Sequence, residues 1–418
     1  TMSVWLLRLL LFKLILCSGL VKLNSGDPSW VDLSALDYHF WTQPLPHELA
    51  WFAHQMPEFA KQLGVLFNHF VELCVPFLIL FNPRGRNLLI WIAVSFIGLY
   101  VFLEGFSSIH LLGLFTLTAI LGGRVWPGGA HADLGRTPAA LLCIVLMLTV
   151  ALSGNYGFFN LLTIALCFTL FDDQSLKSVV PGFLHRERAS AFAGPKPSIQ
   201  QRLLVAMAAI ILIPLSAFKM FPIVAHEQVK AYRTAQSGSS SDKKSEPTGQ
   251  VLEWASQIDS VLGSYASVNR YGLFAQMTKS RYELQIEGSL DGKDWRPYTF
   301  VYKPNSAAGS LKLAGLHMPR LDWQMWFAAL RPTCNQRWFF GFLKALARGS
   351  EPVEGLLHHS PFAGTPPTQL RVKRFRAQFT DRETGPGEPW LFEKASDYCP
   401  VVSMKDLERV VPTPTRTE

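Results

Sequence analysis

The chain has 418 residues, of which 49% are hydrophobic and only 17% charged, with 30 Phe, 12 Trp and a formal net charge of +8. A charged fraction well below the roughly 25% usual for soluble domains argues against a wholly soluble protein and puts part of the chain in lipid. The positive balance does not point to nucleic acid, because the basic residues gather in connections between apolar runs, as they do on the cytoplasmic side of membrane proteins.

Apolar runs near 4–22, 63–81, 87–103, 106–122, 138–153, 157–171 and 203–221 reach or approach the ~20 residues a spanning helix needs. The first carries Arg8 and Lys13, which must snorkel, line a polar interior or meet a partner. The fifth and sixth are short and separated only by Gly154, Asn155 and Tyr156, so they form a tight hairpin or one broken span. Arg84 and Arg86, Arg124 and Arg136, and the group Lys177, Arg186, Arg188, Lys196 and Arg202 fall in three connections on one side of a seven-span arrangement. The opposite connections, 24–62, 104–105 and 154–156, hold only Lys61. The basic side is therefore cytoplasmic, and an odd number of spans puts the C-terminal part in the periplasm or the endoplasmic reticulum lumen.

Connection 24–62 gathers Asp27, Asp32, Asp37, His39, His47, Glu48 and His54 among Trp residues. A metal site or acid/base pair is conceivable, but there is no HExxH or other fixed ligand spacing. An interfacial segment, with Trp and Tyr at headgroup level and Pro breaking helices, is the simpler account. In "FNHFVELCVPF", Asn68 and Glu72 stand at i,i+4 with His69 adjacent, inside a span. Ionisable groups at that depth mark either a pathway or a polar pair holding helices together, and Glu72 is the first to test for proton coupling. Asn155 and Asn160 are candidates for interhelical bonds or caps. Asp172 and Asp173, ending the sixth span, would bond basic residues or hold a cation.

The composition then changes. Residues 1–225 read as the membrane domain, 226–250 as a Ser-, Lys- and Gly-rich linker, and 251–418 as a soluble domain. "RYELQIEG" alternates with period two, "SLDGKDW" is a turn with Gly292 at positive φ, and Tyr298, Phe300 and Tyr302 share one face of a return strand. "LRVKRFRAQFTD" is a third strand whose alternation slips near Lys373–Arg374, suggesting a bulge. "RLDWQMWFAAL" and "RWFFGFLKALARG" read as amphipathic helices, the second stopped by Gly349. The expected fold is thus a polytopic α-helical membrane bundle followed by a β-rich, sandwich-like α+β domain.

Arg281, Glu283, Glu287 and Asp291 read as solvated strand-face and turn residues, and no catalytic triad, phosphate loop, metal site or cofactor motif is expected. Trp295, Trp323, Trp326, Trp338 and Trp390 are more than one core absorbs, which makes Trp295, Trp323 and Trp326 candidates for a protein-binding surface. Of six cysteines, Cys17, Cys74, Cys143 and Cys167 sit in apolar runs as packing residues. Cys334 and Cys399 are a candidate disulfide if the domain faces an oxidising compartment.

"GLVKLNSGDPSWVDLSALDYHFWTQPLPHELAWFAHQMP", "VLFNHFVELCVPF", "SGNYGFFNLLTIALCFTLFDD", "YGLFAQMTKSRYELQIEGSLDGKDWRPYTFVYKP", "PRLDWQMWFAAL" and "LRVKRFRAQFTD" together resemble the lipase maturation factor family, in the family's order, over roughly 300 of the 418 residues. The resemblance implies a polytopic membrane protein of the endoplasmic reticulum, with relatives in bacterial membranes. It also implies a chaperone-like, non-enzymatic role in the folding and assembly of secreted lipases. Its partners would be secreted clients and membrane lipids. Against the family pattern, a membrane segment is expected upstream of "GLVKL", which implies an N-terminally truncated, bacterial-type member. Set against the resemblance, residues 82–153 add about two spans to the family's connection, an even number that preserves downstream sidedness. The "GLVKL…W" stretch is also similar, over a shorter length, to the transmembrane domain of vitamin K-dependent carboxylase. That similarity implies an alternative, a quinone-linked redox or carboxylating enzyme with Lys22, His69 or Glu72 as acid/base groups.

Overall fold

Unbroken apolar runs without Pro or Gly at their centres fold as long helices, while strands form where polar and apolar residues alternate. The computed structural model describes residues 2–81, 136–171, 198–224, 253–254, 257, 261, 263, 268–309, 311–362, 364–382, 388–393 and 395–410. The expected spans 87–103 and 106–122, the linker, Asp172–Asp173 and the basic residues Arg84, Arg86, Arg124, Lys177, Arg186, Arg188 and Lys196 lie outside the described residues.

In chain order the helices begin with α1 (Met2–Asn24), α2 (Pro28–Val31), α3 (Ala35–Thr42), α4 (Glu48–His54) and α5 (Glu58–His69). A π-helical turn, Phe70–Cys74, joins α5 to α6 (Pro76–Phe81). Next come α7 (Arg136–Ser153), α8 (Phe159–Cys167, extended by a 3-10 turn to Leu170) and α9 (Ile199–Val224). The C-terminal part has strands β1 (Arg281–Ser289) and β2 (Arg296–Pro297), helices α10 (Arg320–Ala329), α11 (Arg337–Ala347) and α12 (Glu351–Glu354), strands β3 (Gln369–Phe379), β4 (Trp390–Phe392) and β5 (Ser396–Ser403), and helix α13 (Met404–Val410).

Among the described residues, four helical stretches are long and apolar enough to cross a membrane: Met2–Asn24, Glu58–Leu80, Arg136–Ser153 and Ile199–Ile223. Phe159–Leu170 is a shorter apolar helix. The chain is an integral membrane protein.

The described residues divide into two compact units that interleave along the chain: Thr1–Ser34, Gln62–Leu148 and Leu161–Gln276 form one, and Ala35–Lys61, Thr149–Asn160 and Met277–Glu418 the other. In the first unit, polar side chains close helix ends whose carbonyls would otherwise be orphaned in an apolar medium. Arg8 donates to Thr169 O from Nε and Nη2 at 2.9 and 2.7 Å, Asn24 donates to Ile223 O at 2.7 Å, and Arg136 to Ile79 O at 3.3 Å. These bonds put the start of α1 beside the end of α8, and the end of α1 beside the end of α9. That is the alternation of direction expected of successive spans.

In the second unit the strands form one antiparallel sheet, ordered β2-β1-β3-β4, with β5 also on β3. β4 and β5 occupy successive stretches of the same β3 edge, Phe379↔Trp390 at one end and Gln369↔Ser403 at the other. The expected return strand is short. After Pro297 one further bond, Tyr298 N to Ile286 O at 2.9 Å, continues the pairing. The Asn305 side chain then takes both the N–H and the carbonyl of Phe300, and Asp322 accepts from the N–H groups of Tyr302 and Lys303.

One sheet face packs on α10 and α11 through Leu284, Ile286, Leu370, Val372, Phe339, Leu343 and Leu346. Among the described residues the layer packed on this face is helical, so the domain is α+β. At the other end of β3 the opposite face is buried: Ala377, Phe379 and Trp390 pack with Phe40, Trp41 and Ala50. This exchange of faces explains the slip near Lys373–Arg374. The β1–β3 register runs unbroken from Arg281↔Ala377 to Ser289↔Gln369. The register shifts lie in the β3–β5 ladder, between Leu370 and Val372 and between Val372 and Lys373, and the extra residues are on β5. Gly292 (φ 74°) and Gly349 (φ 63°) occupy the left-handed positions that the turn and the helix stop require.

Candidate functional site

Two polar centres dominate the described residues, one in each unit. The first is built on the π-helical turn. A proline ring clashes with the carbonyl four residues back in a regular helix; widening the turn before Pro76, with Val75 N bonded to Phe70 O at 3.2 Å, relieves that conflict. The widened turn carries Glu72 toward α1. A Cβ at Gly19 would lie 2.8 Å from Leu73 Cδ2 and 2.9 Å from Glu72 Cβ, so only glycine lets α1 approach this closely.

Lys22 Nζ donates to both carboxylate oxygens of Glu72, and Asn68 Nδ2 donates to Glu72 Oε2 at 3.0 Å. The ammonium also sits 5.0 Å from the centre of the Trp30 ring. His69, fully buried, donates from Nε2 to Trp30 O at 2.9 Å and meets the Trp30 ring edge-on. Asn68, His69 and Glu72 are thus brought together with Lys22 and Trp30. Both Glu72 oxygens are engaged by a cation, which is how a carboxylate is held charged away from water.

The second centre is Arg281, fully buried on β1. Its guanidinium donates to the carbonyls of Trp41 (3.2 Å), Gln43 and Pro44 (3.0 Å), pairs with Glu283 at 2.6 Å, and stacks 4.9 Å from the Trp390 ring centre. Burial lowers its pKa from the ordinary guanidinium value, opposed by the charge of Glu283. Glu283 in turn meets Lys303 at 3.2 Å. Arg281 thereby closes the C-terminus of α3, whose orphan carbonyls are all taken. His39 O accepts from Gln43 N, Phe40 O from Gln43 Nε2, Trp41 O from Arg281, and Thr42 O from Trp326 Nε1 at 2.9 Å. A cation at a helix C-terminus also meets the negative end of its dipole.

Turn 154–158 is fastened to the same segment. Asn155 donates from Nδ2 to Leu45 O and Lys312 O at 3.0 and 2.9 Å and accepts from Ala314 N at 2.7 Å. The Tyr156 hydroxyl donates to Gln43 Oε1 at 2.7 Å and lies 2.9 Å from His39 Nε2; burial pushes its pKa up, keeping it a neutral donor. A Cβ at Gly154 would overlap the Gln43 amide.

Several expected solvated residues are instead buried. Arg281 and Glu283 form the centre just described, and Glu287 pairs with Arg371. Arg281 lies beneath connection 35–61, with Glu283 between it and Lys303. Asp291 does lie in an exposed turn, where it accepts from Lys293 N, Asp294 N and Ser289 Oγ, bonds that lower its pKa. Beside Glu283, Lys303 and Asn305 a cavity of about 40 Å³ has room for ordered water rather than for a drug-sized ligand.

Of connection 24–62, Asp27 caps α2, His47 caps α4 through Nδ1, Asp37 pairs with Lys61, and His54 packs 5.7 Å from Phe379. Among the described residues no three His, Cys, Asp or Glu side chains are grouped to hold a metal. Asn160 is buried, with no bond to its Nδ2.

The aromatic candidates separate. Trp326 caps α3, and Trp295 bonds Gly292 O beneath the Arg371 guanidinium. Trp338 packs against the core beneath α10 and α11, and Trp390 is buried in the separate cluster with Ala377 and Phe379. Trp323, Phe327 and Leu330 follow one face of α10, with Phe327 and Leu330 exposed. Cys334 and Cys399 are joined as a disulfide, Cα atoms 5.6 Å apart, linking the α10–α11 connection to β5. The residues missed from sequence are Arg281, Asn155 as a three-way tie, and Gln43. The only available signal was an Arg and a Glu two apart on one strand face, which reads equally as a solvated pair.

Fold and polar centres together define an integral membrane protein with apolar spans and a C-terminal antiparallel-sheet domain whose buried arginine fastens a connection between spans. The description "Lipase maturation factor transmembrane domain" matches residues 1–127 and 134–178, and "Lipase maturation factor C-terminal domain" matches 267–400. The chain belongs to the lipase maturation factor family. The first match runs through 82–127, so that stretch, expected to depart from the family, falls within its transmembrane domain.

Lipase maturation factor 2 of Mus musculus is 31% identical over 453 residues, covering 96% of this chain and 60% of the relative. The Homo sapiens form is 30% identical over 442 residues, again covering 96% and 60%. Lipase maturation factor 1 of Homo sapiens is 26% identical over 424 residues, covering 96% and 61%. The chain thus spans about three fifths of the length of these curated relatives. No solved structure matches.

Proposed function

We propose that this chain is a membrane-anchored folding and maturation factor whose sheet domain holds exported client proteins until assembly buries their apolar surfaces. Secreted lipases are the client class that the relatives' names suggest. The exposed face of α10 formed by Trp323, Phe327 and Leu330 carries this reading: an aromatic strip on a rigid helix suits reversible capture of apolar client surface.

The domain faces the periplasm or the endoplasmic reticulum lumen. Two observations support that side. Connections 35–61 and 149–160, which hold one basic residue between them, belong to the same compact unit as the sheet, while Arg136 and Arg202 lie at the opposite ends of their helices. The Cys334–Cys399 disulfide suits an oxidising compartment.

The test is co-expression of the full chain with a secreted lipase in cells lacking their own factor. Phe327→Glu with Leu330→Glu, inserted at wild-type level, should lower the yield of active secreted lipase several-fold. A photo-crosslinker at Phe327 should capture the newly made lipase. Unchanged yield and no adduct would discard the client surface.

A further inference from the structure

We infer that helix α4 docks the sheet domain onto the lipid surface, with Leu49, Phe52 and Met56 inserted among acyl chains and Arg382 at the phosphates. In α4 the side of Ala50, Trp51 and Ala53 packs inward on Phe40, Trp41 and Phe379, and Trp51 Nε1 and Gln55 Nε2 both donate to Thr380 O. The other side is apolar and uncovered: Leu49 and Phe52 (51% exposed) stand three apart on α4, and Met56 is exposed just beyond its end. A water-facing helix would carry charge there.

What covers this face follows from its continuation. Two residues after Met56 the chain enters the membrane-crossing stretch Glu58–Leu80, whose first turn carries Phe59, 64% exposed. An exposed apolar side chain at the start of a spanning helix meets lipid, and α4, with its own uncovered apolar residues, lies immediately before that start in the chain. Arg382 supplies the charge expected at the boundary: its guanidinium lies over the Phe52 ring, 5.7 Å from the centre. A cation whose stem lies along an inserted aromatic reaches the phosphate level.

An independent patch has the same character. Leu313, 68% exposed, and Leu316 lie on the loop whose Met318 packs at Gly157. Gly157 is in the turn joining the apolar helices α7 and α8. Both patches are exposed apolar side chains of the sheet-domain unit, one just before the span that starts at Glu58 and the other on a loop packed at the Gly157 turn between two apolar helices.

The test uses the full chain in phosphatidylcholine vesicles, with and without phosphatidylglycerol. Nitroxide labels are placed one at a time at Leu49→Cys, Phe52→Cys, Met56→Cys and Leu316→Cys. Asp294→Cys, in an exposed turn of the same domain, is the aqueous control. Collision with dissolved oxygen relative to a water-soluble nickel chelate should be several-fold higher at the four apolar positions than at residue 294. Arg382→Glu should move the label at residue 52 outward, more so with phosphatidylglycerol. Nickel access at residues 49, 52 and 56 equal to that at residue 294 overturns docking. So does protection that arises only when a client lipase is added, which would make this a protein-binding face. An unchanged depth on Arg382→Glu overturns the phosphate contact.

Discussion

Replacing Arg281 by Met keeps side-chain volume on β1 but removes the group that fastens residues 41–44 to the sheet. The carbonyls of Trp41, Gln43 and Pro44 lose their donor, and Glu283 keeps only Lys303 at 3.2 Å. Breaking one side of a buried, hydrogen-bonded ion pair costs about 3–5 kcal/mol, and loss of the contact with the Trp390 ring adds about 1 kcal/mol. Against a typical domain stability of about 5–15 kcal/mol this is a large fraction. It corresponds to a fall in melting temperature of about 8–20 °C.

The sharper assay is hydrogen exchange on the full chain in nanodiscs. About 4 kcal/mol of lost protection is roughly a thousandfold faster exchange. It should fall on amides 39–45 and 281–283 together, although some 240 residues separate them. Arg281→Lys should recover only part, since one ammonium cannot reproduce the planar fork. Met at 281 combined with Glu283→Gln should be milder than Met alone, because no buried carboxylate is stranded. Acceleration confined to residues 281–283, or a loss below about 1 kcal/mol, would refute the claim that this arginine holds α3 to the sheet.

Three further outcomes test the other parts of the structure. Glu72→Gln strands the Lys22 ammonium and should destabilise by about 3–5 kcal/mol, whereas Lys22→Met with Glu72→Leu together should fall near wild type; a double variant as unstable as the single one would show that the pair does more than neutralise itself. Cys334→Ala with Cys399→Ala opens a loop closed by residues 65 apart in sequence, worth about 4 kcal/mol in chain entropy; thermal unfolding with and without reductant reads the same difference in wild type and none in the variant. His47 is held neutral, its pKa lowered by burial first, so the unfolded chain binds more protons below the free-imidazole pKa of about 6.5. Stability therefore drops as pH falls from about 6.5, and His47→Asn, which still caps α4 but cannot titrate, should make that part of the stability–pH curve shallower, the remainder coming from His54, whose pKa burial also lowers.

What could be read without coordinates divides along physical lines. Hydropathy is a property of consecutive residues, so the long helices Met2–Asn24 and Ile199–Val224 announce themselves, as do β1 and the glycines at 292 and 349. The slip in β3 was visible, but its cause was not. A bulge and a change of buried face leave the same pattern in one strand; only the unbroken pairing with β1 separates them. Arg281 and Glu283 were opaque for a related reason. Polar residues alternating with Leu284 and Ile286 signal a solvated face unless something far away covers it, and the cover here is the connection 35–61, drawn from between two spans.

That arrangement also bears on how the protein assembles. Residues 35–61 and 149–160 are made before any strand of the sheet exists, yet their helix-end carbonyls and side chains are satisfied by Arg281, Trp326, Lys312 and Thr380. The connections must therefore wait, with exposed carbonyls and an unpacked α3, until the C-terminal domain is synthesised on the same side of the membrane. A domain delivered to the wrong side would leave Arg281 without both its cover and its acceptors. The polar centre thus rewards only the topology in which both connections and the sheet meet.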